Sequence, residues 1–190
     1  MVEASNDPVT LFITWTTYGS WLPGDVRGWT KRNGGRQSPE PNLEAWCKAR
    51  MSEKAVLLSI EQREAIENVI RLHAAHRGWD LHAVSVRSNH VHIVLTVIPK
   101  VGNRTFRWAD GVKRVRDELK ANATRVLRQC DEPLENARVW TKGGDIQFIN
   151  SDEALHNVVT YVLEAQDRKG QQSPPESKSN QRSANAKPNP

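Results

Sequence analysis

The sequence predicts an α+β fold of the ferredoxin-like class, an antiparallel sheet built in the order β-α-β-β-α-β, followed by one more helix. Three observations predict it. Short runs of alternating apolar and polar residues are separated by stretches with helical spacing. The two middle strands are joined by a turn of only two residues. A last amphipathic stretch, which carries Tyr161, follows the final strand.

The first strand and the first helix are well defined in the sequence. Residues 9–17 alternate apolar and polar and predict a strand. Residues 19–51 contain several turn signals and are expected to form a long irregular insertion. Ser59 as N-cap and Gln62 three residues later form a capping-box pattern, and Gly78 ends the helix that follows.

The next two strands form a hairpin. Residues 81–87 predict one strand and residues 90–98 the next, with Ser88 and Asn89 as the turn. A second helix is expected over residues 110–129, where apolar residues recur at helical spacing.

The last predicted elements are a strand and a helix. Residues 138–149 predict a strand with an irregular start at its glycine pair. Ser151 is a suitable N-cap for a helix over residues 152–166. We therefore expect one folded domain over residues 1–167. Residues 168–190 are polar and rich in proline, and we expect them to be disordered.

Composition indicates a polyanionic partner and excludes a membrane protein. The chain has 190 residues, a net charge of +5 and a pI of about 9.4. Residues 100–128 hold nine basic and three acidic residues, a local charge of +6. No apolar run approaches the roughly 20 residues of a membrane span. Without a secretory signal or a paired-cysteine pattern, we expect a cytoplasmic protein.

His90 and His92 are the strongest candidates for chemistry. In a strand, residues two apart project from the same face, so the two imidazoles are expected side by side. Imidazole is the commonest metal ligand in proteins, and the pair predicts half of a metal site. Two half-exposed strand histidines without a metal are the alternative. Tyr161, one of only two tyrosines, lies on the last predicted helix, which is suited to dock beside this face.

The segment Ser88-Asn89-His90-Val91-His92-Ile93-Val94-Leu95 resembles the His-hydrophobic-His motif of IS200/IS605-type single-tyrosine transposases. That family includes the transposases associated with repetitive extragenic palindromes. The resemblance covers roughly residues 9–166 and includes the basic second helix and the late helical tyrosine.

The resemblance implies a metal-dependent reaction on single-stranded DNA. His90 and His92 would hold Mg²⁺ or Mn²⁺, which polarises the scissile phosphate. Tyr161 would attack that phosphate and form a covalent 5′-phosphotyrosine intermediate, which allows the strand to be rejoined. The expected substrate is hairpin-containing DNA. The protein would act as a monomer or as a homodimer.

The third metal ligand differs from the family pattern. The family places it four residues after the tyrosine, where this chain has Ala165. Glu164 lies nearer to the direction of Tyr161 on a regular helix, whereas Gln166 is chemically closer to the family's amide ligand. Both are candidates, with a slight preference for Gln166. The alternative function is a catalytically inactive nucleic-acid-binding protein descended from such a transposase.

Basic and aromatic residues are expected to contact the DNA. Basic side chains in and before the second helix would track phosphates, and loop tryptophans would stack on unpaired bases. The residues in question are Arg104, Arg107, Lys113, Arg116, Lys120, Trp21 and Trp29.

Overall fold

The computed structural model describes residues 7–31, 34–98, 108–130, 134 and 138–164, with the backbone alone at 108–110. The strands are β1 (Val9–Thr16), β2 (Trp29–Lys31), β3 (Gly35–Gln37), β4 (Asp80–Val86), β5 (His90–Val97) and β6 (Asp145–Ile149). The helices are α1 (Pro41–Ala49), α2 (Ile60–Arg77), α3 (Trp108–Leu127) and α4 (Asp152–Leu163).

Four strands form one antiparallel sheet in the order β4-β5-β1-β6. Along the chain, β1, α2, β4, β5, α3 and β6 give the order β-α-β-β-α-β, and α4 follows. The predicted α+β fold class is confirmed, and Tyr161 lies on the helix α4 that follows the last strand.

The two faces of the sheet have different coverings. Leu11, Ile13 and Trp15 of β1 belong to the main core, which the apolar sides of α2 and α3 complete on one face. Phe12 points to the other face, where it packs with Val162 of α4 in a smaller cluster. Helix α4 therefore lies on the face opposite α2 and α3, where the last helix is predicted from the sequence to be suited to dock.

Local signals place the helix ends as expected. The Ser59 side chain accepts a hydrogen bond from the Gln62 amide, and the Gln62 side chain accepts one from the Ser59 amide. Gly78 ends α2 with a φ of 67°, which a residue without a β-carbon adopts without strain. Ser151 caps α4 by accepting a hydrogen bond from the Ala154 amide at 3.2 Å.

The segment predicted to be irregular is partly regular. Residues 19–51 contain the hairpin of β2 and β3 and the helix α1, so the prediction of an irregular insertion is wrong there. The turn before β2 is held by the nearly buried Asp25 carboxylate, which pairs with Arg27 at 2.6 Å. None of the nine residues of α1 is buried, which explains why no helical period of apolar residues marks it.

Within the described part of the chain, no helix combines the length and apolar character needed to cross a membrane. The predicted boundary at residue 167 and the polar tail at 168–190 lie outside the described residues.

Candidate functional site

The histidine pair lies on β5, on the face of the sheet that α4 partly covers. We call this surface the histidine face. Thr16 of β1 is opposite His90, and Thr14 is opposite His92. The two imidazole rings are side by side, with centroids 4.7 Å apart and planes at 62°. Strand alternation therefore brings the two rings together as the sequence predicts.

Asn89 orients the ring of His90. The Asn89 side-chain oxygen lies 2.6 Å from Nδ1 of His90, and a hydrogen bond there requires the ring to donate from Nδ1. That tautomer leaves Nε2 unprotonated and able to coordinate a metal.

The turn that carries Asn89 is anchored to the protein interior. The Asn89 carbonyl accepts hydrogen bonds from the Thr17 amide at 2.9 Å and from the Ser20 hydroxyl at 3.2 Å. Thr17 has no solvent exposure, and its hydroxyl also donates to the Val56 carbonyl at 2.7 Å. Because these buried hydrogen bonds fix the turn, the backbone position of His90, the first residue of β5, is defined.

His92 is a neutral imidazole with an unused buried nitrogen. Burial, followed by electrostatic interaction with His90 and Arg87, lowers the pKa of His92 from 6.5 to about 3. Its Nδ1 is buried without a hydrogen-bond partner. A neutral ring with an unpaired nitrogen is the form of histidine that binds metals.

Tyr161 lies beside the histidine pair. Its ring centroid is 5.8 Å from that of His92 at 45°, and 6.4 Å from that of Phe12 at 87°. The next residue, Val162, is fully buried in the smaller cluster and holds this turn of α4 against the sheet. His90, His92 and Tyr161, which come from two segments distant in sequence, thus form one cluster on the histidine face.

These residues fit two positions of a metal site. Among the described residues, no three His, Cys, Asp or Glu side chains are grouped closely enough to hold a metal ion. Glu164, one candidate for the third ligand, is exposed at the C-cap of α4. Gln166, the other candidate, lies outside the described residues.

The basic helix α3 lies across the sheet from the histidine face. Its Lys120 Nζ donates to the carbonyls of Thr141 at 2.8 Å and Gly143 at 2.6 Å, and burial lowers its pKa to about 8. Arg116 contacts Asp117 at 2.8 Å and the Gly144 carbonyl at 3.4 Å. Both cations brace the loop before β6, so α3 and that loop are held together.

The remaining predicted DNA contacts fall in different places. Lys113 is exposed on α3, while Arg104 and Arg107 lie outside the described residues. Trp21 is 47% exposed, and its indole N–H donates to the Gly28 carbonyl at 2.8 Å. Trp29 is half-buried in the β2–β3 hairpin. Because Ser20 contacts the Asn89 carbonyl, the backbone next to Trp21 lies close to the histidine turn.

Sequence reasoning overlooked Arg87 and Ser85 of the histidine face. Ser85 is paired with His92, and the Arg87 amide donates to the His90 carbonyl at 2.8 Å. The signal was present, because a two-residue turn at 88–89 places residue 87 opposite residue 90.

No family model matches this chain, and no curated protein matches it. Two solved structures are similar. One is a REP-associated tyrosine transposase bound to a REP hairpin, with 14% identity and a TM-score of 0.45 over 81% of this chain. The other is a candidate transposase from Deinococcus radiodurans R1, with 15% identity and a TM-score of 0.44 over 85% of this chain.

The chain spans 64% of the first of these structures and 94% of the second. Both of these structures are described as transposases.

Proposed function

We propose that this protein is a transposase that cleaves and rejoins single-stranded DNA, with Tyr161 as the nucleophile. The observation that carries the proposal is the contact of the Tyr161 ring with His92, whose own neighbour is His90. A phenol that could attack phosphorus therefore lies next to two imidazoles that could hold a divalent metal. The expected partners are single-stranded and hairpin-containing DNA.

His90 and His92 would hold Mg²⁺ or Mn²⁺, with Glu164 or Gln166 as a further ligand. The bound ion would neutralise charge on the scissile phosphate. Orientation of His90 by Asn89 and the neutral state of His92 both support this role.

Tyr161 would act through its phenolic oxygen. As this oxygen bonds to phosphorus, the bond from phosphorus to the 3′ oxygen breaks. The phenol loses a proton and the released 3′ hydroxyl gains one, which leaves a 5′-phosphotyrosine. The ester between Tyr161 and the phosphate conserves the free energy of the cleaved phosphodiester bond. Attack by a 3′ hydroxyl can therefore rejoin the strand.

The test is formation of a covalent adduct. The chain has only two tyrosines, which supply a matched pair of variants. With single-stranded hairpin DNA labelled at its 3′ end and Mn²⁺, we expect a denaturant-resistant adduct from the natural protein and from Tyr18→Phe. Tyr161→Phe should give none. An adduct that survives Tyr161→Phe would overturn the assignment, and its absence from a broad pool of hairpins would contradict the proposed activity.

A second candidate is a DNA-binding protein that has lost catalysis. The observation that favours it is Ala165, which stands where the resembling family has its third ligand. The same experiment separates the two, because this candidate would bind hairpin DNA in EDTA as well as in Mn²⁺ and would form no adduct.

The seven predicted DNA contacts remain part of the proposal. Lys113 is exposed on α3, across the sheet from the histidine face, so a phosphate contact there would be to DNA away from the cleavage position. Arg116 and Lys120 already donate to the loop before β6. Trp21 is exposed near the histidine turn and suited to stacking on an unpaired base.

A further inference from the structure

The histidine face is divided into an apolar part and a polar part. At the apolar part, α4 covers Phe12, Ala83 and Val94 with Val162 and its neighbours. Tyr161 contacts both Phe12 and His92 and so lies at the boundary. Beyond that boundary the sheet presents His90 and other polar side chains.

Arg87 is placed in the polar part by the strand register. Ser85 is paired with His92 across β4 and β5. The bond from the Arg87 amide to the His90 carbonyl, at 2.8 Å, continues the same ladder two residues further. Residues two apart on a strand project from one face, so the half-buried Arg87 shares the face of the two imidazoles.

The side chain of Arg87 is suited to reach the region in front of the histidines. Directly opposite residues of an antiparallel pair have β-carbons about 5 Å apart. A long arginine side chain that starts opposite His90 can therefore extend over either ring. Guanidinium binds phosphate through two parallel N–H donors, which fixes both the position and the orientation of the anion.

We propose that Arg87 binds the phosphate of the DNA substrate beside the histidine pair and holds it for attack by Tyr161. This inference deepens the proposed function and rests on it. The site would then contain a fixed positive charge of the protein itself in addition to the bound metal. That charge would also stabilise the negative charge that develops on the phosphate oxygens during transfer.

The test measures DNA binding without cleavage. Every variant is made in full-length protein carrying Tyr161→Phe, and binding of a fluorescent single-stranded oligonucleotide is followed by anisotropy in EDTA at 50 to 300 mM salt. We expect Arg87→Gln, which keeps most of the side-chain length, to weaken binding about tenfold at the lowest salt. The slope of log K against log salt should fall by about 1.

Arg71→Gln is the matched control. Arg71 is exposed on α2, across the sheet from the histidine face, so its replacement should change neither the affinity nor the slope beyond what a distant surface charge does. Arg87→Lys should retain the slope, because the charge remains, but should slow adduct formation when Tyr161 is restored.

The outcomes separate this inference from the proposed function. A slope for Arg87→Gln equal to that of Arg71→Gln would overturn the role of Arg87. If Arg87→Gln unfolds, Arg87→Lys decides. Adduct formation by Arg87→Lys at the natural rate would overturn the bidentate contact. Because the binding assay uses neither metal nor the Tyr161 hydroxyl, absence of an adduct would contradict catalysis and leave the phosphate contact standing.

Discussion

At the scale of single residues, the site depends on two histidines held in different ways. His90 is oriented by a hydrogen bond from its ring to the Asn89 side chain. His92 is held by packing between its neighbours Phe12 and Tyr161, with ring centroids 5.5 and 5.8 Å away, and its buried nitrogen has no partner. The cost of that unpaired nitrogen is a structural reason to expect a ligand there.

The neutral state of His92 predicts a pH dependence of stability. Because the pKa of His92 is about 3 in the folded protein and the ordinary pKa of histidine is 6.5, the unfolded chain binds more protons between these values. We expect the free energy of unfolding of the metal-free protein to fall as pH is lowered from 6.5, with a contribution of up to about 1.4 kcal/mol per pH unit.

Urea unfolding at pH 4.5 to 7 measures this dependence. His92→Gln should lose that part of the slope, whereas His76→Gln, at an exposed position of α2, should retain it. Equal slopes for the natural protein and His92→Gln would show that burial of this ring does not control the acid stability.

Sequence reasoning found the histidine pair and the tyrosine but not the arginine, for physical reasons. His90 and His92 are two apart, so strand alternation alone places them together. Arg87 shares their face only because the turn contains two residues, and its charge resembles that of any surface arginine. A basic helix covers the side of the sheet on which its apolar stripe packs into the core. The charges of α3 alone therefore could not predict which side α3 covers.

At the scale of elements, the position of α4 determines whether Tyr161 meets the histidines. It touches the sheet through a small cluster in which Val162 is the only fully buried residue of the helix. Its start is defined by the Ser151 cap and by Asp152 and Glu153 in the first turn, whose charges favour the positive end of the helix dipole. A short helix with so small a buried surface depends on its cap.

Removal of this cap should destabilise α4. We expect Ser151→Ala to lower the free energy of unfolding of α4 by about 1 kcal/mol, because the Ala154 amide loses its hydrogen-bond acceptor. Ser151→Asp should retain stability, since a carboxylate caps equally well. Thermal unfolding with hydrogen exchange of α4 amides measures the effect. Equal protection of α4 in Ser151→Ala and in the natural protein would contradict a role for the cap.

The elements that the sequence predicted well have strong local signals. The capping box at Ser59 and the glycine at position 78 define α2, and the turn at 88–89 defines the β4–β5 hairpin. Helix α1 was missed because it buries no residue, although Pro41 at its first turn is a start signal. The predicted last strand began too early, because Gly143 and Gly144 delay regular pairing until Asp145.

At the scale of the whole molecule, the sheet separates a large core from a small one. The main core joins α2, α3 and three strands, and it includes Trp15, Ile66 and Leu119 among many buried residues. The smaller cluster on the histidine face has four buried members, Phe12, Ala83, Val94 and Val162. Stability should therefore be distributed unequally, with most of it on the face away from the site.

This division predicts that α4 opens without unfolding of the rest. We expect native-state hydrogen exchange at low urea to give α4 amides a lower opening free energy than amides of α2 and β5, because fewer apolar contacts hold α4. Val162→Ala should lower the opening free energy of α4 by roughly 2 kcal/mol, the cost of lost burial and a small cavity.

The amides of α2 and β5 should change less in this variant. Val115→Ala is the matched control, because Val115 of α3 is buried in the main core and its replacement should affect that core instead. The two cores form one cooperative unit if the amides of α4 exchange only with global unfolding. The same holds if Val162→Ala lowers the opening free energy of all amides equally. A separately opening α4 would give the tyrosine freedom to leave the histidines while the sheet that carries them stays folded, which is the freedom that a covalently bound strand would need to move between cleavage and rejoining.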